Sequence, residues 1–160
     1  MTTVILDIEN KKVVSDSLAI ETIGGKVVAK YNNTKKVYKS ACGKFIASCS
    51  GCLILSEKVM RQLGMTVDTQ FGYSSNKGNI SDVLIMNTYN KQVMQINTVM
   101  ERNKIKQERK YHSGSTRITM GTGGLTAAEA FDKLKDPLKA VRYSAMKDRG
   151  TNDILQVESL

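Results

Sequence analysis

Met1-Thr2-Thr3-Val4-Ile5-Leu6-Asp7-Ile8 opens the chain, and Lys12-Val13-Val14-Ser15-Asp16-Ser17 follows across the polar turn Glu9–Lys11. β-Branched residues crowd both runs, so Thr3–Ile8 and Lys12–Ser17 read as strands joined by a tight turn. Thr2 and Thr3 stand directly behind the initiator methionine, and the second strand ends on the carboxylate of Asp16. A methionine followed by a small residue is normally trimmed. Loss of Met1 leaves Thr2 with a hydroxyl and a free α-amine on one residue, a nucleophile with its own general base. Such an amine titrates at about 7.7–8.0, close enough to neutrality to take the hydroxyl proton. Many chains begin Met-Thr without any chemistry, so the weight of this reading comes from the residues that follow.

Outward from this hairpin, Gly24-Gly25 marks a turn, and Lys26–Lys30 and Lys35–Lys39 read as short strands around Asn32-Asn33. Lys44–Cys49 is a further apolar strand. At Ser50-Gly51 the pattern changes: Leu53, Ile54, Val59, Met60 and Leu63 recur at helical spacing, and Gly64 stops the helix. Thr66–Asn79 is polar and reads as loop. Val83–Asn87 and Gln92–Asn97 predict a hairpin around Tyr89-Asn90, and Ile118–Met120 a strand running into Gly121-Thr122-Gly123-Gly124. Thr126-x-x-Glu129 reads as a capping box ahead of Ala130, Phe131 and Leu134. Asp136-Pro137 reads as N-cap and first turn of a second helix with Leu138, Val141 and Ala145 buried. Asp153–Val157 closes the chain as a strand. Strands and helices segregate, so the class is α+β in one domain spanning 1–160, without internal repeats.

The 160 residues suffice for one sizeable core. Proline occurs once, at Pro137, which argues against a linker-rich or disordered chain. No apolar run reaches the roughly 18–20 residues that span a bilayer. The N-terminus lacks a basic region followed by an apolar one, so no signal peptide is expected and the cytoplasm is the default location. Cys42, Cys49 and Cys52 make an odd, clustered set, read as reduced thiols. The net charge of +9 suggests an acidic partner, nucleic acid or protein.

These segments resemble the proteasome β-subunits, and more closely HslV (ClpQ), a family of N-terminal-nucleophile (Ntn) hydrolases. Thr2-Thr3-Val4-Ile5 resembles the mature start of that family, and Val13-Val14-Ser15-Asp16-Ser17 its second strand. Lys35-Lys36-Val37 resembles the segment that carries the catalytic lysine, which falls on Lys36. Lys44-Phe45-Ile46-Ala47-Ser48-Cys49-Ser50-Gly51 resembles the strand-to-helix step whose glycine amide forms the oxyanion hole, which falls on Gly51. Gly121-Thr122-Gly123-Gly124 resembles the family's Gly-Ser-Gly turn, with Thr122 for serine. Lys147-Asp148-Arg149-Gly150-Thr151 resembles its late Asp-x-x-Ser, with Thr151 for serine.

The resemblance implies a four-layer αββα sandwich; this sequence departs from the family in fitting one helix after Gly51 where the family has two, so the other is read as reduced or missing. It implies a threonine endopeptidase enclosed in a homo-oligomeric ring of six or seven subunits, single or double, acting on peptides or proteins, with an unfoldase ATPase as a further partner. It implies catalytic roles for Thr2, Asp16, Lys36, Gly51, Thr122, Asp148 and Thr151, and no cofactor or metal. The alternative is a catalytically inactive relative kept as an assembly or binding protein for an acidic partner or nucleic acid.

The chemistry stands beside the resemblance. Lys36 would favour deprotonation of the neighbouring amine and hydroxyl, and Asp16 would hold it charged; otherwise Lys36 is one surface lysine among many. The Gly51 N–H, at a helix start, would meet developing negative charge; otherwise it serves a turn. Thr122, Asp148 and Thr151 would orient the amine; capping is what they do otherwise. Cys49-x-x-Cys52 also fits a redox pair or half a zinc site, completed by Cys42 and His112. Gly121-x-Gly123 lacks the third glycine of a dinucleotide loop. Arg102–His112 reads as a solvated charged hairpin or, less readily, as a phosphate-contacting patch.

Overall fold

The computed structural model describes residues 2–68, 80–102 and 104–159. Its elements run β1 (Val4–Asp7), β2 (Lys12–Asp16), β3 (Ala19–Ile23), β4 (Lys26–Tyr31), β5 (Val37–Lys39), β6 (Phe45–Gly51), α1 (Leu53–Gln62), β7 (Ile80–Asn87), β8 (Val93–Glu101), β9 (Lys104–His112), β10 (Arg117–Met120), α2 (Gly124–Leu134), α3 (Pro137–Lys147) and β11 (Leu155–Ser159). The strands form a four-stranded sheet, β10-β1-β2-β11, a five-stranded sheet, β5-β6-β7-β8-β9, and the separate hairpin β3-β4. The pairings within them are antiparallel. The fold is mixed α and β, as the segregated pattern predicts.

The opening hairpin is the core of the four-stranded sheet because both of its faces are buried. Along β1, Val4 and Leu6 join Val13, Ile118 and Met120, and meet Val37, Ile46, Leu84, Met86 and Val93 of the five-stranded sheet. Ile5 and Val14 point the other way, against Ala127, Ala130 and Phe131 of α2 and Ala140 and Val141 of α3. A strand covered on both sides needs a continuous apolar run, which Val4-Ile5-Leu6 supplies. A third cluster packs Val59 and Met60 of α1 on Tyr38, Ala47, Cys49, Val83, Ile85 and Ile96. Each large apolar side chain so buried stabilises the fold by about 1.5–3 kcal/mol.

Several boundaries differ from the sequence reading. Thr126 lies inside α2, whose N-cap is Gly123, so Thr126 and Glu129 form no capping box. The turn Gly121–Gly124 brings the chain into the helix three residues earlier. Leu134 is exposed, and the buried face of α3 is Ala140, Val141 and Ser144, with Leu138 and Ala145 only half-buried. The stripe is rotated because α3 turns Ser144 toward the sheet end. Asp136 caps α3 as expected, accepting from the amides of Leu138 at 2.9 Å and Lys139 at 3.2 Å. β3 was not anticipated, and β9 only as part of the charged hairpin read over Arg102–His112. Every residue of β9 up to Tyr111 is exposed, so it carries no apolar alternation; its ladder with β8 holds it as an edge strand. The Arg102–His112 segment thus includes one strand of a charged hairpin. Of the predicted loop Thr66–Asn79, residues 69–79 lie outside those described, as does any second helix there. Among the described residues no helix is long and apolar enough to cross a membrane.

Candidate functional site

Thr2 and Thr3 are buried where β1 begins, at the end of the four-stranded sheet. Asp16 closes β2 beside them and is fully buried. Its Oδ1 accepts the Thr3 amide at 2.9 Å, and its Oδ2 the Leu18 amide at 2.9 Å. Those bonds aim the carboxylate at Lys36, which sits just before β5 and is 1% exposed. Lys36 Nζ donates to Thr2 Oγ1 at 2.8 Å, to both Asp16 oxygens at 3.2 Å, and to the Leu18 carbonyl at 2.5 Å. An ammonium carries three donors, and here three groups receive them. Burial pulls the Lys36 pKa below the ordinary lysine range; the charge of Asp16 and its hydrogen bond oppose this without cancelling it.

A second polar cluster lies on the other side of Thr3. Thr122 Oγ1 donates to Asp148 Oδ2 at 2.6 Å, and Thr151 Oγ1 donates to the same oxygen at 2.9 Å. The Gly150 amide donates to Asp148 Oδ1 at 3.0 Å. Burial alone would raise the Asp148 carboxyl, but the bonds from Thr122, Gly150 and Thr151 outweigh it and hold the carboxyl below its usual range. Thr3 Oγ1 lies 2.6 Å from Thr151 Oγ1 and 3.1 Å from Ser144 Oγ. Because Thr151 spends its one proton on Asp148, Thr3 must donate to Thr151. Ser144 spends its one proton on the Gly123 carbonyl at 2.9 Å, so its contact with Thr3 is one of packing. The result is a directed chain of hydroxyls that ends on a carboxylate.

The glycine turn fits this packing through close approach. A Cβ at Gly121 would lie 1.9 Å from the Thr2 carbonyl oxygen. One at Gly123 would lie 2.0 Å from Thr3 Oγ1 and 2.2 Å from Ser144 Oγ. The threonines and the turn thus require glycine at both positions.

Gly51 is placed by strand geometry. It ends β6 opposite Ser81, and the Cys52 amide donates to the Ile80 carbonyl at 2.7 Å. Antiparallel strands alternate the side to which a residue's N–H and C=O point, so the Gly51 N–H faces away from β7. That edge is the one β5 occupies as far as Val37, opposite Ser48, and then leaves. Gly51 has φ +85°, and a Cβ there would lie 2.4 Å from the Ile80 carbonyl oxygen.

The structure therefore brings Thr2, Asp16 and Lys36 into one buried cluster and Thr122, Asp148 and Thr151 into another, with Thr3 joining them. Sequence reasoning missed Thr3, Ser144 and the Leu18 carbonyl. A serine on the apolar face of α3 was the signal for Ser144. The cysteines are dispersed in character: Cys49 is buried, Cys52 is half-buried at the N-cap position of α1 without a side-chain capping bond, and Cys42 is exposed. Among the described residues no group of three or more His, Cys, Asp or Glu is placed to hold a metal ion.

No protein-family model matches the chain, and no curated protein matches it. Solved structures do. HslV from Trypanosoma brucei has a TM-score of 0.62 at 17% identity, covering 98% of this chain and 98% of that one. Thiobacillus denitrificans BPH, whose structure in complex with epoxomicin is also similar, has a TM-score of 0.57 at 14% identity, covering 100% of this chain and 97% of its own. Anbu from Hyphomicrobium sp. strain MC1 has a TM-score of 0.56 at 7% identity, with 100% and 82% covered. At these identities the likeness concerns the fold, and the fold of this chain is HslV-like.

Proposed function

We propose that this chain is a threonine peptidase whose nucleophile is Thr2 after loss of Met1. The observation that carries the reading is the buried Lys36 ammonium, 2.8 Å from Thr2 Oγ1 and paired with Asp16. Lysine rarely occupies a fully buried position, and its desolvation is costly. Setting its charge against a threonine hydroxyl is what a nucleophile needs. Once Met1 is lost, the hydroxyl proton of Thr2 can pass to the residue's own α-amine.

Thr2 Oγ attacks the peptide carbonyl carbon, and its proton passes to the α-amine. The new oxyanion meets the Gly51 N–H, where one such donor contributes about 10²–10³ in rate. The C–N bond then breaks, and the ammonium returns the proton to the departing amine. Water, deprotonated by the same amine, hydrolyses the acyl ester and restores Thr2. The cluster of Thr122, Asp148 and Thr151 holds Thr3, and so the backbone that carries the nucleophile, in register.

The three core clusters further suggest a four-layer arrangement, α2 and α3 over the four-stranded sheet, then the five-stranded sheet, then α1. A homo-oligomeric ring is part of the reading. The bare β3-β4 hairpin, with Ile23, Val27 and Val28 more than half exposed, supports it, since a lone two-stranded hairpin is marginal in water.

The test is covalent. Intact mass first establishes loss of Met1. The trimmed protein should then form a one-to-one adduct with epoxomicin, the compound complexed by BPH, and release a fluorophore from peptide substrates. Thr2→Ala should do neither. A trimmed, folded wild type that forms no adduct and cleaves nothing would replace this reading with the non-catalytic binding protein.

A further inference from the structure

We propose that Gln156 is a positioning residue for Lys36, tying the backbone of the lysine to the same sheet that holds its side-chain partners. This rests on the peptidase reading for its catalytic consequence, though not for its geometry.

The observation is a broken ladder. β5 and β6 pair with Val37 opposite Ser48, and the Cys49 amide donates to the Lys36 carbonyl at 3.3 Å. That bond makes Lys36 and Cys49 the next pair, one in which regular antiparallel strands exchange both N–H···O bonds. The second bond would run from the Lys36 amide to the Cys49 carbonyl. Instead the Lys36 amide donates to Gln156 Oε1 at 2.8 Å. Gln156 Nε2 meanwhile donates to the Thr34 carbonyl, a very short contact. A glutamine amide has the acceptor and donor of a peptide unit. Here it engages the C=O before and the N–H after Lys35, as a neighbouring strand would.

Gln156 belongs to β11, opposite Ser15 of β2 in the four-stranded sheet. Thr2 and Asp16 belong to the ends of β1 and β2 in that same sheet. β5, which Lys36 leads into, belongs to the five-stranded sheet. Without Gln156, the Lys36 backbone would follow one sheet and its Nζ partners the other. Any slip between the sheets would then change the distance from Nζ to Thr2 Oγ1. Gln156 restricts that freedom by tying the Lys36 amide to the sheet that holds its Nζ partners, while the Lys36 carbonyl stays on β6 through the Cys49 amide and Ser48 Oγ. It also takes the Lys36 amide away from Cys49, and so ends the β5–β6 ladder beside the edge toward which Gly51 points.

The test uses the full chain with Met1 removed and two variants. Gln156→Met keeps the length and removes both hydrogen bonds. Gln156→Glu keeps the acceptor for Lys36. Three readouts are taken: peptide hydrolysis across pH, titration of the Lys36 side chain by NMR, and exchange of the Lys36 amide. Gln156→Met should lower kcat by about 10- to 10²-fold, the scale of a misplaced catalytic group, with KM within about twofold. It should also shift the Lys36 titration and speed exchange of the Lys36 amide, whereas Gln156→Glu should restore amide protection and part of kcat. A folded Gln156→Met protein with unchanged kcat, Lys36 titration and amide exchange would overturn the proposal. So would a loss of rate that follows only the loss of folded protein. If the wild type hydrolyses nothing, the peptidase reading fails by itself. The two NMR readouts then still decide whether Gln156 positions Lys36, an unchanged titration and exchange in Gln156→Met being the result that rejects it.

Discussion

Lys36 shows how a residue of ordinary type is made unusual by its surroundings. Its ammonium is surrounded by Asp16, the Leu18 carbonyl and Thr2, with almost no contact with water. Lys36→Met, close in shape and without charge, should lower peptide hydrolysis by about 10²–10³-fold, the scale of losing one preorganised electrostatic donor. It should also destabilise the protein, because Asp16 stays buried without its cation; thermal melting checks this. Asp148 gives a pH signature whose sign follows from its lowered pKa. A carboxyl held below its unfolded value of about 3.9 contributes stability above that value and loses it as pH falls through the folded pKa. Denaturant titrations should therefore find Asp148→Asn less stable than wild type at neutral pH, with the gap closing below about pH 4. The thiols should separate likewise. Burial pushes Cys49 up to about 12, whereas the Ser40 hydrogen bond pulls the exposed Cys42 down. Mass mapping after a brief pulse of alkylating reagent should find Cys42 modified and Cys49 intact.

At the scale of elements, the turn Gly121–Gly124 matters most, because it must pass within van der Waals contact of the first strand. Gly123→Ala would force a Cβ against Thr3 Oγ1 and Ser144 Oγ. Overpacking of this kind costs about 1–3 kcal/mol, and here it also displaces the strand that begins with Thr2. Hydrolysis should fall more than stability does, which a melt run beside a peptide assay would reveal. The Gly-x-Gly spelling was visible in the sequence, but what it approaches was not. β9 was legible only as part of a charged hairpin, for a related reason. Its residues show no apolar alternation, since both faces are open, and only its pairing with β8 makes it a strand. The false capping box at Thr126 is the converse: a correct local pattern overridden where the glycine turn starts α2 early.

At the scale of the whole molecule, the β3-β4 hairpin begins one residue after Leu18, whose carbonyl receives Lys36. A neighbour covering Ile23, Val27 and Val28 would therefore steady the site as well as build the proposed ring. Native mass spectrometry should show a multiple of the chain mass. Ile23→Glu combined with Val28→Glu should shift the protein toward monomer and lower hydrolysis with it; an unchanged assembly would reject this hairpin as a contact of the proposed ring. By itself the sequence determined the local periods. β-Branched runs marked the opening hairpin as two strands, and Asp136-Pro137 started α3. These follow from backbone sterics and side-chain hydrophobicity, which act over a few residues. Only the tertiary structure decided that Lys36 is buried against Thr2, that Ser144 reaches Thr3, and that Gln156 replaces a strand. Each of these joins residues more than thirty positions apart, where the placement of whole sheets sets the distance and no local pattern records it.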